Sequence, residues 1–222
     1  MQQEKYIKNL KGEFKFNLDN ISKYDMYTNV LWELNFKESF KNAIDLNNVE
    51  KASVLAIQHK MLIIYLVSVF ESLLQGATNL ILYISFKRFA NSEKMKLSYA
   101  EIFNEVNIEG IKDKVIRKKL QNIAYKSVRD QLLVLSKEYN FEFIDLESTS
   151  NELKFLIEIF QYRNILLHNK GIINQIFIEN TDFPQHMLGD YFPIDEDYIS
   201  DAIAQIENLG DMLIKRLEDK YK

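Results

Sequence analysis

Cysteine is absent from all 222 residues. That removes a disulfide framework, a cysteine nucleophile and a thiolate zinc site. Histidine is nearly as scarce. His59, His168 and His186 are the whole supply, so a histidine-rich metal centre has almost no ligands to draw on. The chain has 6 Gly and 2 Pro, too few turn-formers for a sandwich or barrel of many short strands, and long helices are expected instead. An excess of positive charge is also missing. The formal net charge is −4, so the global field repels nucleic acid and any such binding has to be local. The start of the chain, Met1 to Phe16, shows no uninterrupted apolar region of the kind a secretory signal needs, and the cytoplasm is the expected compartment.

What is abundant is apolar. Hydrophobic residues make up 47%, with 15 Phe and 12 Tyr, enough for a sizeable core and too many for a disordered chain. The most apolar stretch, Met61 to Phe86, carries one charged residue, Glu71. Its length would suit a membrane span. Glu71, with Ser68, Ser72, Gln75, Thr78, Asn79 and Ser85, reads better as a buried core helix, because a central carboxylate is costly in lipid. A carboxylate in such surroundings needs a cation or several donors. Arg163 is one partner it could have, and a structural pair elsewhere in the core is the other.

Along the chain, Phe14, Phe16 and Leu18 alternate with polar residues and suggest a short extended piece. Tyr24 to Ile44 shows helical spacing, and its aromatic residues Tyr24, Tyr27, Trp32 and Phe36 read mostly as core. Asn47 or Asn48 could cap a long central helix over 49–89, in which Gly76 either kinks the helix or lets another approach. Ser98 and Glu101 match a capping box for a short helix that Gly110 would end. Ile116, Leu120, Ile123, Ala124, Val128, Leu132 and Leu135 form a stripe reaching Tyr139. Its outer face carries Lys112, Lys114, Arg117, Lys118 and Lys119, either a solvated face or a phosphate-facing patch. Ser148 or Ser150 can cap a helix from Asn151. Residues 171–193 form the main loop region, and Asp195 caps a last helix. The expected architecture is all-α: one helical domain over 1–222, with a short N-terminal extension at 1–45 and a core bundle at 46–222.

Only five Arg occur among 28 basic residues, so each is worth inspecting as a positioned group. Arg163 lies on the helix whose stripe runs Leu153, Leu156, Ile157, Phe160. Continued by fours, that stripe reaches Asn164 and then His168, two polar groups on a face heading into a core. On a regular helix Arg163 and His168 lie about 140° apart. One straight helix therefore does not aim both at the same atom. Either the helix ends near His168, which Gly171 permits, or the site combines groups from two chains, as in a twofold dimer with two copies face to face.

Arg163-Asn164-Ile165-Leu166-Leu167-His168, followed by Asn169-Lys170-Gly171, resembles the R-x4-6-H signature of the HEPN superfamily, in which a polar residue commonly follows the Arg. The Phe70-Glu71 stretch is similar to an acidic helix position of some HEPN groups. The resemblance covers roughly 45–215, although the sharp motif is nine residues long. Lys170 stands where toxins paired with nucleotidyltransferase antitoxins carry a Tyr, a departure from that group.

The resemblance implies a HEPN-like helical bundle and metal-independent cleavage of RNA by a homodimer with a composite active site and no cofactor. His168 would move a proton. Arg163 would hold the scissile phosphate, and Asn164 would orient His168 or bond a phosphate oxygen. Glu71, Asn169 and Gly171 would support them. The nucleophile is the RNA 2′-OH, and the products are a 2′,3′-cyclic phosphate and a 5′-OH. Such proteins act as toxins or abortive-infection effectors in bacteria, with an antitoxin or regulatory partner possible. The alternative expectation is a non-catalytic helical module that binds RNA or protein and dimerises through the same motif.

Overall fold

A computed structural model describes residues 2–33, 51–87, 97–103, 105, 107–147 and 150–221. Among them are eight α-helices: α1 (Gln2–Glu33), α2 (Lys51–Ile84), α3 (Tyr99–Phe103), α4 (Ile108–Ala124), α5 (Val128–Tyr139), α6 (Asn151–Asn169), α7 (Gln175–Asn180) and α8 (Glu196–Tyr221). A 3₁₀ turn spans Gln185–Met187, and no strand pairing beyond the isolated bridge Ile172–Tyr191 occurs among the described residues. The fold is all-α, as the shortage of Gly and Pro leads one to expect.

Helix α2 is the central element. It packs against α1, α4, α6 and α8, and Ile63, Leu66, Val67, Phe70, Leu74, Ala77 and Ile81 are buried in it. Ile57–Ile84 is long and apolar enough to cross a membrane, but 56% of its most apolar window is buried inside the protein, so other helices already cover most of that surface. Ile57, Met61 and Tyr65 form an exposed stripe, so the helix is not buried on every side.

The first helix overturns one expectation. Phe14, Phe16 and Leu18 do not form an extended piece; they lie in α1. Ile7, Phe14, Leu18 and Ile21, at spacings of seven, four and three, are buried, while Phe16 is 66% exposed. A three-residue alternation loses to a helical stripe when two helices wait to cover it. Those helices are α2 and α8, so part of the expected N-terminal extension belongs to the same core as the rest. Close approach depends on two glycines. A Cβ on Gly76 of α2 would lie 2.4 Å from Leu10 Cδ2, and one on Gly210 of α8 would lie 2.1 Å from Phe14 Cε1 and Cζ. Gly76 therefore admits another helix. The part of the stretch Tyr24 to Ile44 beyond Glu33, and the proposed caps Asn47 and Asn48, lie outside the described residues. Tyr24 is 52% exposed rather than core.

Helix starts follow local chemistry. The Ser98 backbone N–H donates to Glu101 Oε2 at 2.7 Å, and the Glu101 N–H donates back to Ser98 Oγ at 3.2 Å, closing the capping box. Lys118, together with the Ser98 backbone N–H and the Ser98 hydroxyl, which donates to Glu101 Oε2 at 3.0 Å, holds the Glu101 carboxyl down at about 2. Ser150 caps α6 through Leu153 N–H at 3.3 Å, and Asp195 caps α8 through Tyr198 N–H at 2.8 Å. Ser148 lies outside the described residues.

Two boundaries differ from expectation. Gly110 does not end α3; it sits in the first turn of α4 and donates to the Asn107 side chain at 2.9 Å. The stripe from Ile116 to Leu135 is not one helix. It breaks at Tyr125–Ser127, where Ser127 Oγ accepts from Asp130 N–H at 3.1 Å and starts α5. The apolar phase carries across the break, which conceals it from periodicity alone.

Candidate active site

The motif helix α6 turns Leu153, Leu156, Ile159, Phe160, Tyr162 and Ile165 into the core. Phe160 meets Phe70 of α2 edge-to-face at 6.4 Å. Two polar groups on a face heading into a core have to be satisfied inside the bundle, line a cleft or meet a partner chain, and Asn164 lines a cleft. Past Phe160, Tyr162 and Ile165 take the core, Asn164 is half-buried and His168 is exposed. An amide and an imidazole at the edge of the bundle avoid the cost of burial without partners.

The end of α6 is built by the residues after the motif. Lys170 and Gly171 both adopt left-handed conformations, with φ of 57° and 83°. Gly171 N–H donates to Ile165 O at 2.9 Å, closing the last turn. Asn169 Nδ2 donates to Ile172 O at 2.7 Å, and Phe192 N–H donates to Gly171 O at 3.0 Å. Asn169 and Gly171 therefore terminate the helix and pin its end.

The structure brings Glu71 and Arg163 together. Arg163 Nη2 donates to Glu71 Oε1 in a salt bridge from α6 to α2, with side chains 19% and 31% exposed. Of the two partners open to Glu71, the cation is the motif arginine. The Arg163 guanidinium also lies 5.8 Å from the centroid of the Phe160 ring. Its Nε is buried without an acceptor among the described residues. Both side chains, with Asn164, line a cleft of about 380 Å³ that also takes in Tyr125, Lys126 and Arg129 from the turn and the first residues of α5. Glu179 adds a second carboxylate, so the cleft holds three cations against two carboxylates in a chain whose net charge is −4.

No protein-family model, curated protein or solved structure matches this chain.

His168 is not part of the cleft wall. Five residues along an α-helix is a rise of about 7.5 Å, which leaves the imidazole at the exposed end of α6. It makes no hydrogen bond to a described residue. Within one chain, then, Glu71, Arg163 and Asn164 converge and His168 stands apart.

The basic face of α4 is not the cationic surface. Lys114 pairs with Glu105 at 3.0 Å, Lys118 with Glu101 at 2.7 Å, Lys119 with Glu138 at 2.8 Å and Lys112 with Glu109 at 3.7 Å. Lys112 also caps the Tyr83 ring at 3.8 Å. These pairs spend the charge locally. Lys126 and Arg129, which periodicity did not single out, have no carboxylate within salt-bridge distance among the described residues. Their signal in the sequence is Ser127-x-x-Asp130, a cap that forces a turn just where they stand. His186 is exposed and His59 is buried, and neither lines the cleft.

A second cleft, of about 520 Å³, lies beyond a shared wall that includes Arg129 and Glu179. It sets Arg129 and Lys154 against Glu158, Glu179, Asp182 and Asp201. Burial pushes the Glu158 carboxyl above its usual range, against the Tyr198 hydroxyl that donates to it at 3.3 Å, and Asp182 adds to the rise. Burial likewise raises the Tyr162 and Tyr198 phenols.

Proposed function

We propose that this chain is a metal-independent endoribonuclease of HEPN type, cytoplasmic and active as a homodimer, serving as a toxin or abortive-infection effector. The observation that carries this reading is the motif arginine anchored by Glu71 at the wall of a cleft with a net positive charge. An arginine fixed at one Nη by a carboxylate keeps further N–H donors for a phosphate and needs little reordering to use them.

The reaction needs no group from outside the protein. The 2′-oxygen of a ribose attacks the adjacent phosphorus and the 5′-oxygen of the next nucleotide leaves. One His168 imidazole takes the 2′-OH proton, and a protonated second one, from the other copy, gives a proton to the 5′-oxygen. Arg163 offsets charge on the pentacoordinate phosphorane, and Asn164 bonds a non-bridging oxygen or orients the imidazole. The exposed position of His168, apart from its own Arg163, supports a site completed across a twofold axis.

The test is purified protein incubated with RNA, with product ends analysed. The reading expects 2′,3′-cyclic phosphate and 5′-OH ends, lost in both Arg163→Ala and His168→Ala. Cleavage by either variant at the wild-type rate would refute it. One observation favours a second reading, a non-catalytic RNA- or protein-binding module: His168 lies outside the cleft of its own chain. RNA binding with no cleavage at any protein concentration would select that module.

A further inference from the structure

We propose that the cleft takes an unpaired nucleic-acid strand, with Tyr125 stacking on a base beside the phosphates that Lys126 and Arg129 contact. The proposal deepens the ribonuclease reading by naming the form of its substrate, and it rests on that reading only for which phosphate reacts.

Tyr125 is 90% exposed although it lines a concave wall. The turn that carries it is nonetheless held tightly. Tyr125 N–H donates to Gln121 O at 3.0 Å and Lys126 N–H to Ile123 O at 3.0 Å. The buried Gln131 amide donates to Lys126 O at 3.0 Å and to Ala124 O at 3.4 Å, tying the turn to α5. An aromatic ring presented on a fixed backbone, with its faces in water, is an unfilled stacking platform.

The charges beside it favour a polyanion. Lys126 and Arg129 have no carboxylate partner among the described residues, unlike four of the five basic residues on α4. Across the wall formed by Arg129 and Glu179, the neighbouring cleft is acidic. A phosphate chain is repelled there, so its favoured path from Arg163 runs past Lys126 and Tyr125. The strand has to be unpaired, because a base inside a duplex has no free face for the ring. An acidic peptide would meet the two cations but gain nothing from Tyr125.

The experiment uses the full chain and fluorescence anisotropy with a short 2′-O-methyl oligoribonucleotide, which cannot be cut by 2′-OH attack. The same sequence as a blunt duplex and a polyglutamate peptide serve as competitors. Tyr125→Ala is expected to weaken single-strand binding about tenfold, and Tyr125→Trp to retain it. The duplex and the peptide are expected to compete at least about tenfold more weakly. Equal affinity of wild type and Tyr125→Ala overturns the proposal, as does equal competition by the duplex or by polyglutamate. Unmodified RNA is assayed in parallel. Cleavage with an unchanged KM in Tyr125→Ala sinks this inference and leaves the ribonuclease reading standing. Tyr125-dependent binding without cleavage does the reverse.

Discussion

Breaking the bond between α2 and α6 at Glu71–Arg163 gives the most direct test of how the cleft is held. Fully exposed ion pairs contribute about 0.2–1 kcal/mol. Removing one partner of a fully buried pair costs about 3–5 kcal/mol, because the other charge is left uncompensated. With side chains 19% and 31% exposed, this pair lies between those limits. A coupling energy of about 1–2 kcal/mol is expected from the cycle of wild type, Glu71→Ala, Arg163→Ala and the double variant. Urea unfolding monitored by circular dichroism measures it. With a slope of about 3 kcal/mol/M, each single variant should move the midpoint down by about 0.3–0.7 M, and the double variant by less than the sum. The same cycle read by RNA cleavage should show Arg163→Ala abolishing activity and Glu71→Ala reducing it, since an unheld guanidinium has to be ordered on each turnover. Strict additivity, to within about 0.5 kcal/mol, would refute the claim that Glu71 fixes Arg163.

Three further outcomes are expected. His168→Ala should leave the unfolding free energy unchanged to within about 0.5 kcal/mol, since the side chain is exposed, while RNA cleavage falls at least about 100-fold; a loss of stability equal to a core substitution would show that His168 is structural. Gly210→Ala should lower the melting temperature by about 2–8 °C, the clash with Phe14 outweighing the better helix propensity, and Phe14→Leu in the same chain should recover part of it; an unchanged melting temperature would refute the close approach. Glu158→Gln should stabilise the protein at neutral and alkaline pH and not in acid. The folded-state pKa of Glu158 is raised, so its contribution is fully present below the ordinary carboxyl range and is lost as pH rises through the raised value. Melting curves from pH 4 to pH 8 check this, and a gain largest in acid would reverse the sign of the argument.

Signals that lie within a few residues of one another were legible in the sequence. Ser98 with Glu101, Ser150 and Asp195 are donors and acceptors within one turn of their targets, so their chemistry does not depend on the rest of the chain. The all-α class followed from scarce Gly and Pro in the same way. Position in the bundle was not legible. Phe16 and Phe14 are the same residue type two places apart, and only the docking of α2 and α8 decides that one is exposed and the other buried. The break at Tyr125–Ser127 left the apolar phase intact, so periodicity passed over the turn that brings Tyr125 and Lys126 to the cleft, and only the local Ser127-x-x-Asp130 cap marks it. On α6, continuation by fours carried the stripe to Asn164 and His168, whereas Tyr162 and Ile165 fill the core. The Glu71–Arg163 pair could be named as one possibility because both are scarce charges in apolar runs, but the two residues are 92 positions apart and their meeting is a property of the packing.

The two glycine notches that receive α1 impose an order on assembly. Leu10 needs Gly76 and Phe14 needs Gly210, and the second notch follows Phe14 by 196 residues. At synthesis rates of about 5–20 residues per second, the first helix waits about 10–40 s before its second seat has been made. Through that interval Ile7, Phe14, Leu18 and Ile21 have no complete surface to cover them. Helix α1 can meet Gly76 early but completes its docking only when Gly210 has been made. A newborn chain stalled before Gly210 displays part of the α1 apolar stripe, a surface that a ribosome-associated chaperone would meet.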